Sequence, residues 1–291
     1  MSPGRVPPQA FFAVSAVFHY LGPAFAVTLF GQLGVPGVTW IRIAGAAAVF
    51  AVWRRPWRPA GPWRPLVALG AVLAAMNTVF YLACARIPLS TVGAIEFLGI
   101  IVLAAVGVRG RRNLLALALA VGGVVALADV RIVAEPLGIV LAFANCALFL
   151  LYVVLGHRIA NAGPGSGGTG PGGIDRLGAA MLVAAVIVTP YGLGDAAVAF
   201  THPLLLLAGF GVAVCSSVIP YVTDQLAMAR LGRSSFALML SILPATATVV
   251  GLVVLAQVPT AQDVMGIALI TAGVAIHQAE APRKVKAPCA T

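Results

Sequence analysis

The stretch from Ile87 to Gly107 reads IPLSTVGAIEFLGIIVLAAVG, and it decides what kind of fold the chain can adopt. As a helix it is long enough to cross about 30 Å of hydrocarbon. It nevertheless carries one carboxylate, Glu96, which would lie roughly 12 Å below the membrane surface at 1.5 Å per residue. A carboxylate at that depth costs about 3 kcal/mol against lipid. We therefore expect Glu96 to face protein or water.

The composition of the whole chain agrees with this stretch. The chain has 291 residues, of which 61% are hydrophobic and only 9% are charged, whereas soluble domains contain about 25% charged residues. The sequence predicts an all-α integral membrane protein with ten transmembrane helices. These spans cover about 9–30, 36–53, 66–85, 88–108, 113–129, 136–157, 175–195, 202–222, 234–256 and 260–278.

The basic residues predict the orientation of these spans. With the N-terminus inside, the cytoplasmic segments hold 15 of the 18 Lys and Arg residues, and the opposite side holds only Arg86 and Arg131. This bias follows the positive-inside rule, so we expect both termini to be cytoplasmic. The net charge of +10 is thereby explained by topology, and no nucleic-acid partner is expected because no soluble basic module is present.

Two similar stretches predict an internal repeat. The segment ARIPLSTVGAI begins at Ala85 and ARLGRSSFALM begins at Ala229, an offset of 144 residues or five spans. Because five is odd, the second copy would be inserted upside down, as in many secondary transporters. We predict a first five-helix repeat over 9–129 and a second, inverted one over 136–278. The glycine-rich stretch His157–Gly173 is expected to be a flexible linker.

Polar side chains within the spans are candidates for substrate binding or proton coupling. Glu96 could carry a proton or bind a substrate amine, or it could pair with Arg42, which lies about 9 Å deep in its own span. Arg42 could instead hold a substrate carboxylate through two hydrogen bonds, or extend outward to the membrane surface. The other candidates are His19, Tyr20, Asn77, Tyr81, Asn145, Tyr152, Ser217, Tyr221, Ser241 and Pro244.

Each of these candidates also has a structural interpretation. Polar residues on spans often join helices through hydrogen bonds, and Pro220 and Pro244 could be kinks packed by neighbouring helices or bends that line a cavity. Asp224, near the end of the eighth span, is interpreted as a solvated charge at a helix end.

Enzyme and cofactor motifs are absent from the sequence. There is no GxxxxGK[ST], HExxH or GxSxG segment, so neither an enzyme nor a nucleotide-driven pump is expected. The four cysteines show no CxxC or Cys/His spacing, which predicts neither a metal site nor a disulfide framework. We expect no cofactor.

Four stretches carry a resemblance to a known family: GVPGVTWIRIA, MNTVFYLACARIPLSTVGAIEF, IPYVTDQLAMARL and FALMLSILPA. The chain resembles the EamA-type drug/metabolite transporter superfamily, and within it the bacterial threonine/homoserine exporters. The resemblance implies two inverted five-helix repeats around a central cavity in the bacterial plasma (inner) membrane. It also implies export of amino acids or similar metabolites, driven by protons. Glu96 matches the acid of the family's LEF segment, Asn77 and Tyr81 match its MNYLFY, and Arg42 matches its span-two arginine.

The chain departs from the exporter pattern at three positions. Leu243 stands where the pattern has an acid, Ile100 where it has a proline, and Gln257 where it has a glutamate. We expect a small-molecule substrate and a lipid bilayer as partners, and a homodimer is left open. The alternatives to an exporter are a facilitator working as an importer and a membrane scaffold or accessory subunit without transport of its own.

Overall fold

The computed structural model describes residues 8–54, 63–107, 111–160, 171–228 and 243–276, and within these ranges it contains helices and no strand. The eighth segment is one helix interrupted by a π-turn at Val214–Val218, which divides it into α8 and α9. The helices are α1 Pro8–Thr28, α2 Phe30–Arg54, α3 Trp63–Cys84, α4 Leu89–Gly107, α5 Arg111–Ala134, α6 Pro136–Ala160, α7 Pro171–Thr201, α8 Pro203–Ala213, α9 Ile219–Met228, α10 Leu243–Leu255 and α11 Ala261–Ile276.

A glycine sets the true start of the second span. Gly34 has φ 62 and ψ 167, so it breaks the helical backbone inside α2, and glycine tolerates this positive φ without steric strain. Pro36 follows, where its fixed φ suits the first turn of a helix. The continuous part of α2 therefore begins where the sequence predicted the second span.

The outer surface of the bundle is apolar and its interior holds polar groups. Among the described residues, five helical stretches are long and apolar enough to cross a membrane: Phe30–Arg54, Trp63–Cys84, Pro136–Ile159, Gly173–Thr201 and Pro203–Ala227. Leu204 is 81% exposed and Val253 76% exposed, whereas Arg42 is 4% and Glu96 3% exposed. This distribution is the one expected in lipid. The helices and this distribution together confirm the prediction of an all-α membrane protein.

The helices pack through close contacts between small residues. Gly192 of α7 lies against the Pro36 carbonyl and Trp40 of α2, and Gly123 of α5 lies against the Gly266 carbonyl of α11. Small residues let helix backbones approach, which drives packing where lipid removes the hydrophobic effect. The remaining large contacts are α3 with α6 and α7, α1 with α9 and α10, α4 with α6 and α10, and α2 with α8.

The predicted linker is shorter than the sequence indicated. α6 continues to Ala160 and α7 begins at Pro171, so both ends of His157–Gly173 are helical. The prediction of a flexible linker over that whole stretch is wrong. Its glycines at 172 and 173 are carried within the first turn of α7, where helix packing outweighs their low propensity. The part at 161–170 lies outside the described residues.

Candidate functional site

Glu96 lies at the meeting point of three helices. Its carboxylate is on α4 and is 3% exposed. The Tyr20 hydroxyl of α1 donates to Oε2 at 3.1 Å, and the Asn145 Nδ2 of α6 donates to Oε1 at 3.1 Å. Both oxygens are thus hydrogen-bonded by side chains far away in sequence. The expectation that Glu96 faces protein and not lipid is confirmed.

Arg42 is buried on α2 and is held by the π-turn. Its Nε donates to Ser217 Oγ at 2.9 Å, and its Nη2 donates to the Ser216 carbonyl at 2.8 Å. The guanidinium carbon lies 5.0 Å from the centroid of the Tyr81 ring, a favourable cation–π distance. The third nitrogen, Nη1, is buried without a hydrogen-bond partner.

Two interpretations of Arg42 from the sequence are therefore wrong. Arg42 does not extend to the membrane surface, because it is only 4% exposed. It also forms no ion pair with Glu96, since the one ion pair among the described residues joins Arg54 to Asp175 at 2.7 Å. The physical reason is that the π-turn already supplies Arg42 with two oxygen acceptors.

The acceptor on Ser216 exists because of the local sequence. Pro220 lacks a backbone N–H, so the carbonyl four residues before it, that of Ser216, receives no ordinary helical hydrogen bond. The chain widens there into the π-turn Val214–Val218, a feature often found at functional sites. Gly22 of α1 makes room for it, because a Cβ there would lie 2.6 Å from the Ser216 backbone nitrogen.

A small cavity separates the buried cation from the buried acid. Its volume is about 10 Å³, which is enough for one water molecule. The cavity brings together six of the residues predicted from the sequence. It is lined by His19, Pro23, Arg42, Met76, Asn77, Phe80, Glu96, Asn145 and Tyr221.

Three further predicted residues lie beside this cavity. Asn77 Nδ2 and the Tyr221 hydroxyl are 3.2 Å apart, while Tyr20, Tyr81 and Ser217 contact Glu96 or Arg42 directly. Asn145 Oδ1 and the Tyr81 hydroxyl are buried with no hydrogen-bond partner of good geometry.

Two described residues of the predicted set lie elsewhere, and a third is not described. Tyr152 is directed to Asp224. Pro244 is the second residue of α10, and Ser241 lies outside the described residues.

Asp224 on α9 is buried, so its interpretation as a solvated end charge is wrong. It is 3% exposed. The Ser15 hydroxyl of α1 donates to Oδ1, and the Tyr152 hydroxyl of α6 donates to Oδ2 at 3.4 Å. The sequence placed Asp224 at the end of an apolar run, but α1 and α6 cover that end. The one sequence signal was the i, i+3 position of Asp224 after Tyr221, which puts both on the inward face.

Two departures from the exporter pattern lie in structural positions. The Gln257 Oε1 accepts a hydrogen bond from the Leu89 backbone N–H at 3.2 Å. That N–H belongs to the first turn of α4, the helix that carries Glu96, so Gln257 supplies one of the acceptors that a helix N-terminus needs. Leu243 is 2% exposed at the start of α10.

Comparisons with known proteins show the family and the fold of the chain. No profile of a known protein family matches the chain. The threonine/homoserine exporter RhtA of Salmonella typhimurium strain LT2 is 31% identical over 258 residues, which is 86% of this chain and 84% of the exporter. The RhtA of Escherichia coli K12 is 31% identical over 259 residues, with the same coverage. A solved crystal structure that is 17% identical matches 92% of this chain and 95% of its own, with a TM-score of 0.58; it supports the fold alone.

The apolar helices around a buried polar centre define a multi-pass membrane protein, and its relatives make it a transporter of a small molecule. The sequence identity of 31% over most of both chains identifies the family to which the protein belongs. The chain belongs to the RhtA family of exporters, which is of the EamA drug/metabolite transporter type. The predicted resemblance is confirmed, and so is the prediction that the chain is not an enzyme, because its relatives are transporters.

Proposed function

We propose that this chain is a secondary transporter that exports amino acids, of the threonine or homoserine kind, in exchange for protons. The observation that carries the proposal is one cavity lined by both a buried cation and a buried acid that form no ion pair with each other. An amino acid at neutral pH carries both complementary charges. The names of the curated relatives support the substrate class.

Each charge of the substrate has a partner in the cavity. The buried Nη1 of Arg42 has no acceptor of good hydrogen-bond geometry among the described residues, and a substrate carboxylate would supply one through a charge-assisted hydrogen bond. The ionised Glu96 would accept from the substrate ammonium, with the unpartnered Asn145 Oδ1 as a second acceptor. Leaving a buried donor unpaired costs about 1–3 kcal/mol, so substrate binding recovers that energy.

Proton coupling follows from competition at Glu96. A proton on the carboxylate removes the charge that attracts the ammonium, so Glu96 carries either a proton or the substrate. This exclusive occupancy couples outward movement of the amino acid to inward movement of a proton. The cavity of about 10 Å³ is too small for an amino acid, so the helices around it must separate to admit one.

The helix packing supports two inverted five-helix repeats, over 9–129 and 136–278, as the units that move. In the two repeats, α3 corresponds to the eighth segment, α4 corresponds to α10, and α6 corresponds to α1. The contact of α3 with α6 therefore has its counterpart in that of the eighth segment with α1, and the contact of α4 with α6 has its counterpart in that of α10 with α1. Asn77 and Tyr221, which differ by 144 positions, hydrogen-bond each other. Equivalent residues touch in this way at a two-fold axis, where transporters of this design bind substrate.

The first helix of each repeat supports the inversion. On α1, Ser15 contacts Asp224 and Tyr20 contacts Glu96 further along the chain. On α6 the order is reversed, because Asn145 contacts Glu96 and Tyr152 contacts Asp224 further along. The two helices therefore pass the acids in opposite directions. With the loop charges, this supports an inner-membrane orientation with both termini cytoplasmic, which reporter fusions at each loop would test.

Transport by the Glu96→Gln variant tests the proposal. Purified protein is reconstituted into proteoliposomes that are loaded with labelled threonine or homoserine. Efflux of the labelled amino acid is then followed under an imposed pH gradient. We expect the variant to lose the gradient-driven flux. Glu135→Gln is the matched control, because Glu135 is exposed between α5 and α6, and it should transport normally. A Glu96→Gln variant with an unchanged rate and pH dependence would contradict proton coupling at this site.

The same assay separates the alternatives. A wild-type protein that moves no amino acid and purifies with a stoichiometric partner would favour an accessory subunit. Flux that follows the substrate gradient with no response to pH would favour a facilitator. Cross-linking in the same vesicles tests whether the chain forms the homodimer that its sequence leaves open.

A further inference from the structure

We propose that Asp224 is a second proton-carrying acid of the transport cycle, which passes protons between Glu96 and the membrane side at which α1 begins. The inference rests on the proposed proton coupling at Glu96. It adds a residue outside the substrate cavity, since Asp224 does not line that space. In the proposed orientation, the side reached through Asp224 is the cytoplasm.

The first observation is a buried carboxylate with no counter-charge among the residues that the structure describes. Asp224 is 3% exposed, and no described Lys, Arg or His forms an ion pair with it. Two hydroxyl groups, of Ser15 and Tyr152, are its hydrogen-bonding partners in the structure. A buried ionised carboxylate with only neutral partners is costly, so this position favours a group that can take up a proton.

The second observation is that the same two helices hold both acids. α1 donates to Asp224 through Ser15 and to Glu96 through Tyr20. α6 donates to Asp224 through Tyr152 and to Glu96 through Asn145. The spacing of these donors along α1 and α6 separates the acids by roughly 7–10 Å along the bundle. A movement of α1 against α6 would therefore change the hydrogen bonds of both carboxylates at once.

The third observation is a line of polar groups between the acids. The ring of Tyr152, which donates to Asp224, lies 5.4 Å from that of Tyr221, centroid to centroid. The Tyr221 hydroxyl contacts Asn77, and both residues line the cavity that reaches Glu96. Among the described residues, the titratable side chains facing Asp224 are thus Tyr152 from α6 and Tyr221 from its own helix, while α1 presents Ser15.

The proposed step moves one proton and changes no other bond. Glu96 in its protonated form releases H⁺ to water in the opened cavity when a substrate ammonium replaces it. The Asp224 carboxylate takes up that H⁺ and then releases it to water at the α1 end, which returns Asp224 to its starting form. No oxidant, reductant or further reactant is needed.

Two assays on Asp224→Asn separate coupling from binding. Counterflow exchanges labelled for unlabelled amino acid without net proton movement, whereas gradient-driven efflux requires it. We expect the variant to retain counterflow and to lose gradient-driven flux by about tenfold or more, with Asp224→Glu restoring it. Retained gradient-driven flux would overturn the proposal, and so would equal loss of both activities in a variant that remains folded. Absence of gradient-driven flux in the wild type would instead overturn the proposed function.

Infrared difference spectroscopy supplies a test that does not require transport by the variant. A change of pH should produce two protonated-carboxyl bands in the wild type, one absent from Glu96→Gln and the other from Asp224→Asn. Tyr152→Phe removes one donor to Asp224 and should shift only the second band. It keeps the test available if Asp224→Asn does not fold. A single band, belonging to Glu96 alone, would overturn the proposal.

Discussion

Glu96 and Asp263 are both acids buried in the bundle, with 3% and 4% of their surface exposed, but their partners differ in origin. Asp263 accepts from the backbone N–H and the hydroxyl of Thr260, both at 2.9 Å, and its own N–H donates back to that hydroxyl at 3.1 Å. This reciprocal pattern is a capping box at the start of α11. Glu96 instead receives its donors from α1 and α6, 76 and 49 residues away.

The difference indicates that burial alone does not mark a functional acid. The spacing T-x-x-D in the sequence accounts for the hydrogen bonds between Asp263 and Thr260 as a local feature of one helix end. Nothing near Glu96 in the sequence accounts for its position, and its partners lie on helices that can move relative to α4. The same distinction applies to Arg42, whose partners lie on α3 and the π-turn.

The largest effect on stability is expected where distant elements meet, at Gly22. A Cβ there would lie 2.5 Å from Ser216 Oγ and 2.7 Å from its Cα. Gly22→Ala should lower stability by about 1–3 kcal/mol through overpacking. It should also weaken substrate binding, because the displaced π-turn carries the acceptors of Arg42. Thermal unfolding in detergent, with and without amino acid, measures both effects.

Gly211→Ala is the matched control for that variant. Gly211 lies on α8, and a Cβ there meets nothing within 4 Å, so its stability and binding should match those of the wild type. If both variants behave alike, the close approach of α1 to the π-turn does not hold Arg42 in place, and the contrast between local and distant partners is weakened.

A smaller effect is expected at Asp263. Asp263→Ala removes the capping box and should cost about 1 kcal/mol, the usual value for a helix cap. Substrate affinity and pH dependence should stay unchanged, because α11 starts away from the cavity-lining residues. Unfolding temperature and transport rate are compared with those of Glu96→Gln. An Asp263→Ala variant that lost proton coupling would remove the distinction between the two acids.

The sequence predicts the site better than it predicts the connections within it. Glu96, Arg42, Asn77 and Asn145 could be identified because polar groups deep in apolar runs must face the interior. The π-turn could not be predicted, since it depends on Pro220 and on the approach of Gly22 from another helix. The burial of Asp224 could not be predicted, because α1 and α6 cover it and the sequence of its own span does not contain that packing.

The central claim is that Arg42 and Glu96 recognise the two charges of one amino acid, and ligands lacking one charge test it most directly. Binding of homoserine is measured by calorimetry against 4-hydroxybutyrate, which lacks the ammonium, and 3-aminopropan-1-ol, which lacks the carboxylate. Each lost contact to a charged group should cost about 1.5–3 kcal/mol, or roughly 10- to 100-fold in affinity. Glu96→Gln should discriminate less between homoserine and 4-hydroxybutyrate than the wild type does, because only neutral acceptors remain for the ammonium. Equal affinity of the wild-type protein for all three ligands would contradict the account.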